Sequence, residues 1–124
     1  LLDFLNRKNI SMALCTQKNR ETATQLLKKL KIFEYFKGFA FGDSTDFLKP
    51  DIRVFQHAVK DLGPAKYYYV GDSEIDLVLA LKAKATFLFH KNGYSNDQAH
   101  KDGINFSFDT FFQLLEHVIQ LLER

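Results

Sequence analysis

Two carboxylates, Asp72 and Asp76, stand four residues apart where an apolar run gives way to a helical pattern. The run at residues 67–70 is typical of a buried strand, and it stops at Gly71. Both carboxylates therefore fall at the carboxyl end of a predicted strand, where ligands of open parallel α/β sheets bind. Because Mg²⁺ prefers hard oxygen ligands, this stretch predicts a magnesium site.

Two further polar signals fall where strand patterns end or helical patterns begin. Thr16 and Gln17 follow the short apolar run at residues 10–15, and Lys49 precedes Pro50 at the start of a helical pattern. Strand-end placement is expected to bring these side chains to one rim of the sheet. A hydroxyl donor, a fixed positive charge and a metal are what a phosphoryl group requires, since its transfer is catalysed by positioning and by neutralising negative charge.

Each of these residues also has a plainer interpretation. Thr16 could be a helix N-cap, Lys49 an ordinary surface lysine, and the two aspartates helix-start carboxylates favoured by the helix dipole. The ordered combination of all four is more specific than any one of them.

Other candidates for chemistry are weaker. Four residues separate Cys15 from Arg20, one fewer than in the loop of cysteine phosphatases, so Cys15 is predicted to be a core residue. The acidic segment at residues 43–46 resembles a capping turn as much as a site. The histidines show no metal-ligand spacing and have no paired cysteine. They are His57, His90, His100 and His117.

Strand and helix patterns alternate along the chain, which predicts a parallel three-layer α/β domain. The predicted strands are residues 10–15, 39–41, 67–70, 86–89 and 105–107. The predicted helices are residues 1–8, a segment after the N-cap Asn19, a segment that Lys49-Pro50 opens and Gly63-Pro64 stops, residues 74–82, and a segment after the N-cap Asp109.

Three of these helices carry apolar patterns that predict burial. Residues 74–82 are apolar on most sides and are expected to be largely covered. The stripe of the helix after Pro50 comprises Ile52, Phe55, Val59 and Leu62. The stripe of the last helix comprises Phe111, Leu114, Leu115, Val118, Ile119 and Leu122.

The composition fits one domain spanning residues 1–124, because 46% of the chain is apolar and 13 residues are Phe. A net charge of +2 gives no argument for a nucleic-acid partner. No secretory or transmembrane segment is visible, and a single cysteine fits a reducing compartment. A cytoplasmic protein without a nucleic-acid or membrane partner is expected.

The ordered motifs resemble the haloacid dehalogenase superfamily, and within it the phosphoglycolate phosphatase-like branch. Residues 13–18 resemble its second motif, whose threonine, here Thr16, hydrogen-bonds the phosphoryl oxygens. Gln17 stands where asparagine is usual. Lys49-Pro50 resembles the third motif, whose lysine steadies the charge shared by nucleophile and phosphate. Residues 70–76 resemble the fourth, whose first aspartate ligates Mg²⁺ while the second supports the site.

A further likeness involves the loop after the fourth predicted strand. Asn92-Gly93-Tyr94, followed by Gly103, resembles the loop that leads to the last strand of these enzymes.

The family's first motif, an Asp-x-Asp that supplies the nucleophile and the acid/base, has no counterpart in this chain. Asp43 and Asp46 have the wrong spacing. In the family the first strand lies at the centre of the sheet and a helical cap follows it, so the resemblance implies that both lie upstream of Leu1. The chain also opens in a helical pattern, and its only methionine is Met12. A C-terminal part of a longer protein is therefore expected, completed by an upstream segment or a second chain.

The resemblance implies a Mg²⁺-dependent phosphatase of small phosphorylated metabolites that works through an aspartyl-phosphate, with the 124-residue chain inactive alone. Thr16 and Lys49 would act in catalysis, Gln17 would join them in binding substrate, and Asp72 and Asp76 would hold the metal.

Two alternatives come from other classes of protein. The missing nucleophile motivates a catalytically inactive α/β module with a binding or regulatory role. A phospho-acceptor receiver domain also uses Asp, Thr, Lys and Mg²⁺, but it places its acceptor aspartate before the other two. Here Asp72 follows Thr16 and Lys49, which disfavours a receiver.

Overall fold

The computed structural model describes residues 1–91 and 104–123, in which helices and strands alternate. The strands are β1 (Met12–Cys15), β2 (Phe36–Ala40), β3 (Tyr68–Gly71), β4 (Thr86–His90) and β5 (Ile104–Phe108). The α-helices are α1 (Leu2–Arg7), α2 (Arg20–Lys29), α3 (Ile52–Val59), α4 (Glu74–Lys82) and α5 (Phe111–Leu122). A 3₁₀ turn at Phe33–Tyr35 precedes β2. None of the described helices is both long enough and apolar enough to span a bilayer.

Every strand pair in the described residues is parallel. β1 pairs with β2, and β3, β4 and β5 form a second sheet in that order. Parallel partners need crossover connections, which α2 supplies between β1 and β2 and α4 between β3 and β4. The prediction of an α/β fold with parallel strands is confirmed. Within residues 1–91 and 104–123, β1 pairs only with β2, and β3 only with β4.

The chain divides into two compact units. The first comprises Leu2–Ala65 and contains α1 to α3 with β1 and β2. The second comprises Lys66–Arg124 together with Leu1 and contains β3 to β5 with α4 and α5. That residues 1–124 form one partial core domain stays a prediction.

The core of the first unit lies between β2 and α3. One cluster of buried residues there comprises Ala40, Val54 and Ala58, and the partly buried Cys15 packs against it as predicted. A Cβ at Gly38 would collide with the Ala58 carbonyl oxygen, so glycine is what allows α3 to lie directly on the strand.

The core of the second unit is largely aromatic and centres on β4. Its largest fully buried side chains are Phe87, Phe89, Phe108, Leu79 and Leu114. Phe87, Leu88 and Phe89 of β4 are all buried, so side chains on both faces of this strand are covered, which explains its continuous apolar sequence.

The apolar patterns of α4 and α5 overstate their burial. α5 is anchored by Leu114, whereas Phe111 and Leu122 in its predicted stripe are exposed. Similarly, Ile75 and Leu81 of α4 are exposed, so the expectation of a largely covered helix is wrong for them. Each helix has an apolar surface wider than its contact with the sheet. A single packed sheet face covers only part of a helix.

Side-chain reach decides where three helices begin. Asn19 caps α2 as predicted, since its Oδ1 accepts a hydrogen bond from the Thr22 amide at 2.8 Å. α3 begins at Ile52 with Asp51 as its N-cap, so the prediction that Pro50 occupies the first turn is wrong. Asp109 does not cap α5, because Thr110 is its N-cap.

The boundaries and buried face of α3 also differ from the sequence pattern. The helix ends at Val59, before the predicted stop at Gly63-Pro64. Its fully buried residues are Val54, Phe55 and Ala58, whereas Ile52, Val59 and Leu62 are only half-buried. Pro50 lies in the loop before the helix, and the Lys49–Pro50 peptide bond is cis.

Replacing Thr110 with Ala should lower the free energy of unfolding by about 1 kcal/mol, because the Thr110 hydroxyl accepts from the Gln113 amide and completes a capping box. Urea titration of the intact protein measures this loss. Thr110→Ser is the matched control and should retain most of the stability, since it keeps the hydroxyl. Equal destabilisation by both variants would contradict the capping role.

Candidate functional site

Thr16 lies at the carboxyl end of β1 and extends that strand's pairing with β2. Its amide donates to the Ala40 carbonyl at 2.9 Å, and its Oγ1 accepts from the Lys18 amide at 3.2 Å. The hydroxyl therefore organises the turn that follows the strand. Because Asn19 caps α2, the plainer interpretation of Thr16 as a helix cap is wrong.

The turn after Thr16 lies against the loop that follows β2. The Gly42 amide donates to the Lys18 carbonyl at 2.7 Å, and a Cβ at Gly42 would collide with the Gln17 carbonyl oxygen. Asp43 accepts a hydrogen bond from the Arg20 amide at 2.8 Å. The capping interpretation of the acidic segment is confirmed at Asp43, which binds the first residue of α2.

Thr16, Gln17 and Lys49 come together in the first unit, where they line one shallow depression. The other lining residues are Phe41, Gly42, Phe47, Leu48 and Val54. Lys49 is half-buried, which disagrees with the interpretation of an ordinary exposed lysine. Thr16 contributes a hydroxyl and Lys49 an ammonium group to the lining residues, and groups of these kinds are suited to an anion with several oxygens, such as phosphate.

The loop that carries Lys49 is anchored to the start of α3. Asp51 accepts from the Arg53 amide at 2.9 Å, and its Oδ2 lies 2.7 Å from the Arg53 guanidinium. The hydrogen bond between the Asp51 carboxylate and the Arg53 guanidinium raises the pKa of Arg53 above its usual value. The guanidinium carbon also lies 3.2 Å from the centre of the Phe47 ring, a cation–π contact. These contacts fix both ends of the short segment around Lys49.

Among the described residues, Asp76 is the one charged residue that is buried, with 6% of its surface exposed. Its Oδ1 accepts from the Tyr69 hydroxyl at 2.9 Å, and its Oδ2 accepts from the Ser73 hydroxyl at 3.0 Å. The Ser73 oxygen in turn accepts from the Asp76 amide at 3.2 Å, as the N-cap of α4. Burial of a carboxylate is costly unless it is hydrogen-bonded, and both oxygens meet this need.

The end of β3 passes directly over Asp76. A Cβ built on Gly71 would lie 2.5 Å from the Asp76 Cβ and 2.8 Å from its Oδ2. Asp72 follows at the carboxyl end of the strand and is half-buried. The second unit therefore holds Asp72 and Asp76 on one strand-to-helix turn, as the spacing predicts.

The chemistry of these carboxylates fits Mg²⁺. In residues 1–91 and 104–123, no group of three or more His, Cys, Asp or Glu side chains could hold a metal. Mg²⁺ does not need such a cage, because it keeps several waters and is typically bound by one or two carboxylates plus substrate phosphate. Asp72 and Asp76 are donors of the right kind, and their role as metal ligands stays a prediction.

Two functional contacts escape sequence reasoning. Ser73 and Asp76 match the spacing of an N-terminal capping box, so a search for caps could have found the serine. Tyr69 gave no signal, because a tyrosine in an apolar run reads as core. The predicted loop residues Asn92-Gly93-Tyr94 and Gly103 lie outside the described residues.

A family model described as haloacid dehalogenase-like hydrolase matches residues 1–90, and the chain belongs to that family. The chain is 33% identical over 97 residues to a phosphoglycolate phosphatase of Agrobacterium fabrum, covering 77% of this chain and 42% of the relative. It is 30% identical over 121 residues to a phosphoglycolate phosphatase of Cereibacter sphaeroides, covering 95% and 56%. The resemblance to the phosphoglycolate phosphatase-like branch is confirmed.

Solved structures show the same fold. A haloacid dehalogenase-superfamily hydrolase of Ehrlichia chaffeensis superposes with a TM-score of 0.82 at 23% identity, covering 98% of this chain and 55% of that one. The chain spans about half the length of the curated relatives described above.

Replacing Gly71 with Ala should lower the free energy of unfolding by about 2–3 kcal/mol, because the added methyl overpacks against the buried Asp76. Chemical denaturation measures the loss. Gly63→Ala is the matched control, since nothing lies within 4 Å of its added Cβ and only its φ of +77° opposes the change. The control should lose about 1 kcal/mol. A Gly71 variant no less stable than the control would contradict the close contact.

Proposed function

We propose that the protein containing this chain is a Mg²⁺-dependent phosphatase of small phosphorylated metabolites. The observation that carries this proposal is the convergence of Thr16, Gln17 and Lys49 on one depression, in a chain of the haloacid dehalogenase-like hydrolase family. The phosphoglycolate phosphatases among its relatives support a phosphate monoester as the substrate class.

The first unit binds the phosphoryl group in this proposal. The Thr16 hydroxyl donates a hydrogen bond to one phosphoryl oxygen, and the Gln17 side-chain amide donates to another. Lys49 neutralises charge that builds up as a nucleophile approaches the phosphate dianion. The anchored loop around Lys49 favours this role, because charge held in place needs no reorganisation during the reaction.

The second unit provides the carboxylates for the metal. Asp72, supported by Asp76, holds Mg²⁺, which when bound polarises the phosphoryl oxygens and offsets their charge. The position of both residues on one turn after β3 supports this assignment.

The nucleophile in this proposal is an aspartate outside the 124 residues. Its carboxylate oxygen attacks phosphorus, the ester oxygen leaves with a proton as the alcohol, and water then hydrolyses the aspartyl-phosphate to release inorganic phosphate. The chain contains no Asp-x-Asp sequence to supply the attacking group. Within the described residues β1 pairs only with β2 and β3 only with β4, which is compatible with pairing by an additional strand outside the chain.

Residues 1–124 alone should show no Mg²⁺-dependent hydrolysis of phosphate monoesters, because a metal and a lysine cannot replace the attacking carboxylate. Release of inorganic phosphate from a substrate panel measures this. The control is a longer protein with an upstream Asp-x-Asp, which should turn over at least one member of the panel. Sustained turnover by the 124-residue chain would refute a nucleophile outside it.

Asp72→Asn should reduce Mg²⁺-dependent kcat/KM of the intact protein by about 100-fold or more, because a neutral amide is a poorer ligand for a hard cation. Steady-state kinetics across a Mg²⁺ titration measures the loss. Glu74→Gln is the matched control, since it removes a carboxylate from the same helix start and should leave the rate nearly unchanged. Equal losses in both variants would indicate only a general charge effect at the helix end.

The catalytically inactive binding or regulatory module is the competing function, and the missing Asp-x-Asp favours it. It predicts no turnover by the intact protein with any phosphate monoester and divalent cation in the panel. The same assay therefore separates the two functions.

A further inference from the structure

We infer that Tyr69 is a positioning residue for the metal site. Its hydroxyl, with that of Ser73, clamps the Asp76 carboxylate, and this clamp fixes the turn that presents Asp72. The inference rests on the proposed function, because it assumes that Asp72 binds Mg²⁺. It assigns Asp76 a role in holding that turn in place.

The clamp uses one hydroxyl for each oxygen of the carboxylate. Tyr69 donates to Oδ1 at 2.9 Å and Ser73 donates to Oδ2 at 3.0 Å. Both distances are within the range of O–H···O hydrogen bonds, and bonds to a carboxylate are stronger than those between neutral groups. With both oxygens engaged, the carboxylate cannot rotate about its terminal torsion without breaking a bond.

Asp76 contacts the residues on both sides of Asp72. Before it, Gly71 packs against the Asp76 side chain so closely that no Cβ would fit. After it, Ser73 exchanges two hydrogen bonds with Asp76, one through the backbone amide and one through the carboxylate. The backbone of Asp72 is therefore held at both ends by one buried side chain.

Tyr69 is suited to this task because it lies on the buried face of β3. Its exposed fraction is 9%, whereas Tyr68 and Val70, on the opposite face, are 42% and 45% exposed. The Tyr69 ring also packs against Phe87, with ring centres 6.2 Å apart. A ring fixed by packing delivers its hydroxyl at little cost in conformational entropy.

The effect expected on the metal follows from this arrangement. Groups that orient ligands without touching the ion typically change metal affinity by about 10- to 100-fold when they are removed. Loss of the Tyr69 hydroxyl frees one carboxylate oxygen while the ring still fills the core. Asp72 then samples more orientations, so its affinity for Mg²⁺ falls.

Tyr69→Phe in the intact protein should weaken Mg²⁺ binding about tenfold, as measured by calorimetric titration with MgCl₂ alone. Tyr68→Phe is the matched control, since it removes the same hydroxyl from the exposed face of the same strand. Its dissociation constant should equal that of the wild type. Circular dichroism at the titration temperature establishes that each variant is folded.

A second pair of variants tests the other arm of the clamp. Ser73→Ala should also weaken Mg²⁺ binding, and Ser73→Thr should restore it, because threonine retains the hydroxyl and is a good N-cap.

The outcomes separate this inference from the proposed function. Unchanged Mg²⁺ affinity in a folded Tyr69→Phe variant overturns the positioning role, even if its melting temperature falls, and leaves the phosphatase proposal intact. Absence of Mg²⁺ binding by the wild type overturns the metal dependence of the proposed function and this inference with it.

Discussion

The buried carboxylate of Asp76 is the constraint on which the turn after β3 depends. An ionised carboxylate with little access to water is stable only if the protein replaces the lost hydration. Tyr69 and Ser73 do so from opposite sides of the turn. Because one donor comes from the strand and the other from the helix cap, the hydrogen bonds to one carboxylate also tie the end of β3 to the start of α4.

In the first unit, close steric packing between two loops positions the polar side chains. The loops after β1 and β2 approach so closely that Gly42 leaves no room for a side chain next to Gln17. The backbone hydrogen bond between Gly42 and Lys18 holds that approach. Thr16 is thereby placed beside the loop of Lys49, in the depression that both line. Close backbone packing thus positions the polar side chains of each unit.

The sequence predicted the elements well and their ends less well. The bounds of α4 were predicted fully, because a strand ending at Gly71 and a basic final turn mark both ends. The cap of α5 was misplaced by one residue, since Asp109 and Thr110 are both good caps and only side-chain reach separates them. Tyr69 could not be identified from the sequence, because its contact with Asp76 depends on which face of β3 is buried, and the sequence does not specify that face.

The uniformly parallel pairing of the described strands also has a consequence for folding kinetics. Tyr68 aligns with Thr86 and Met12 with Phe36, so the β1–β2 and β3–β4 pairs each join strands that lie on either side of an intervening helix. Parallel strands cannot pair through a local hairpin. The chain therefore loses conformational entropy in closing the connecting loop before the first hydrogen bond between the strands forms. A crossover helix that forms early shortens the loop that must be closed, which favours pairing of the strands on either side of it.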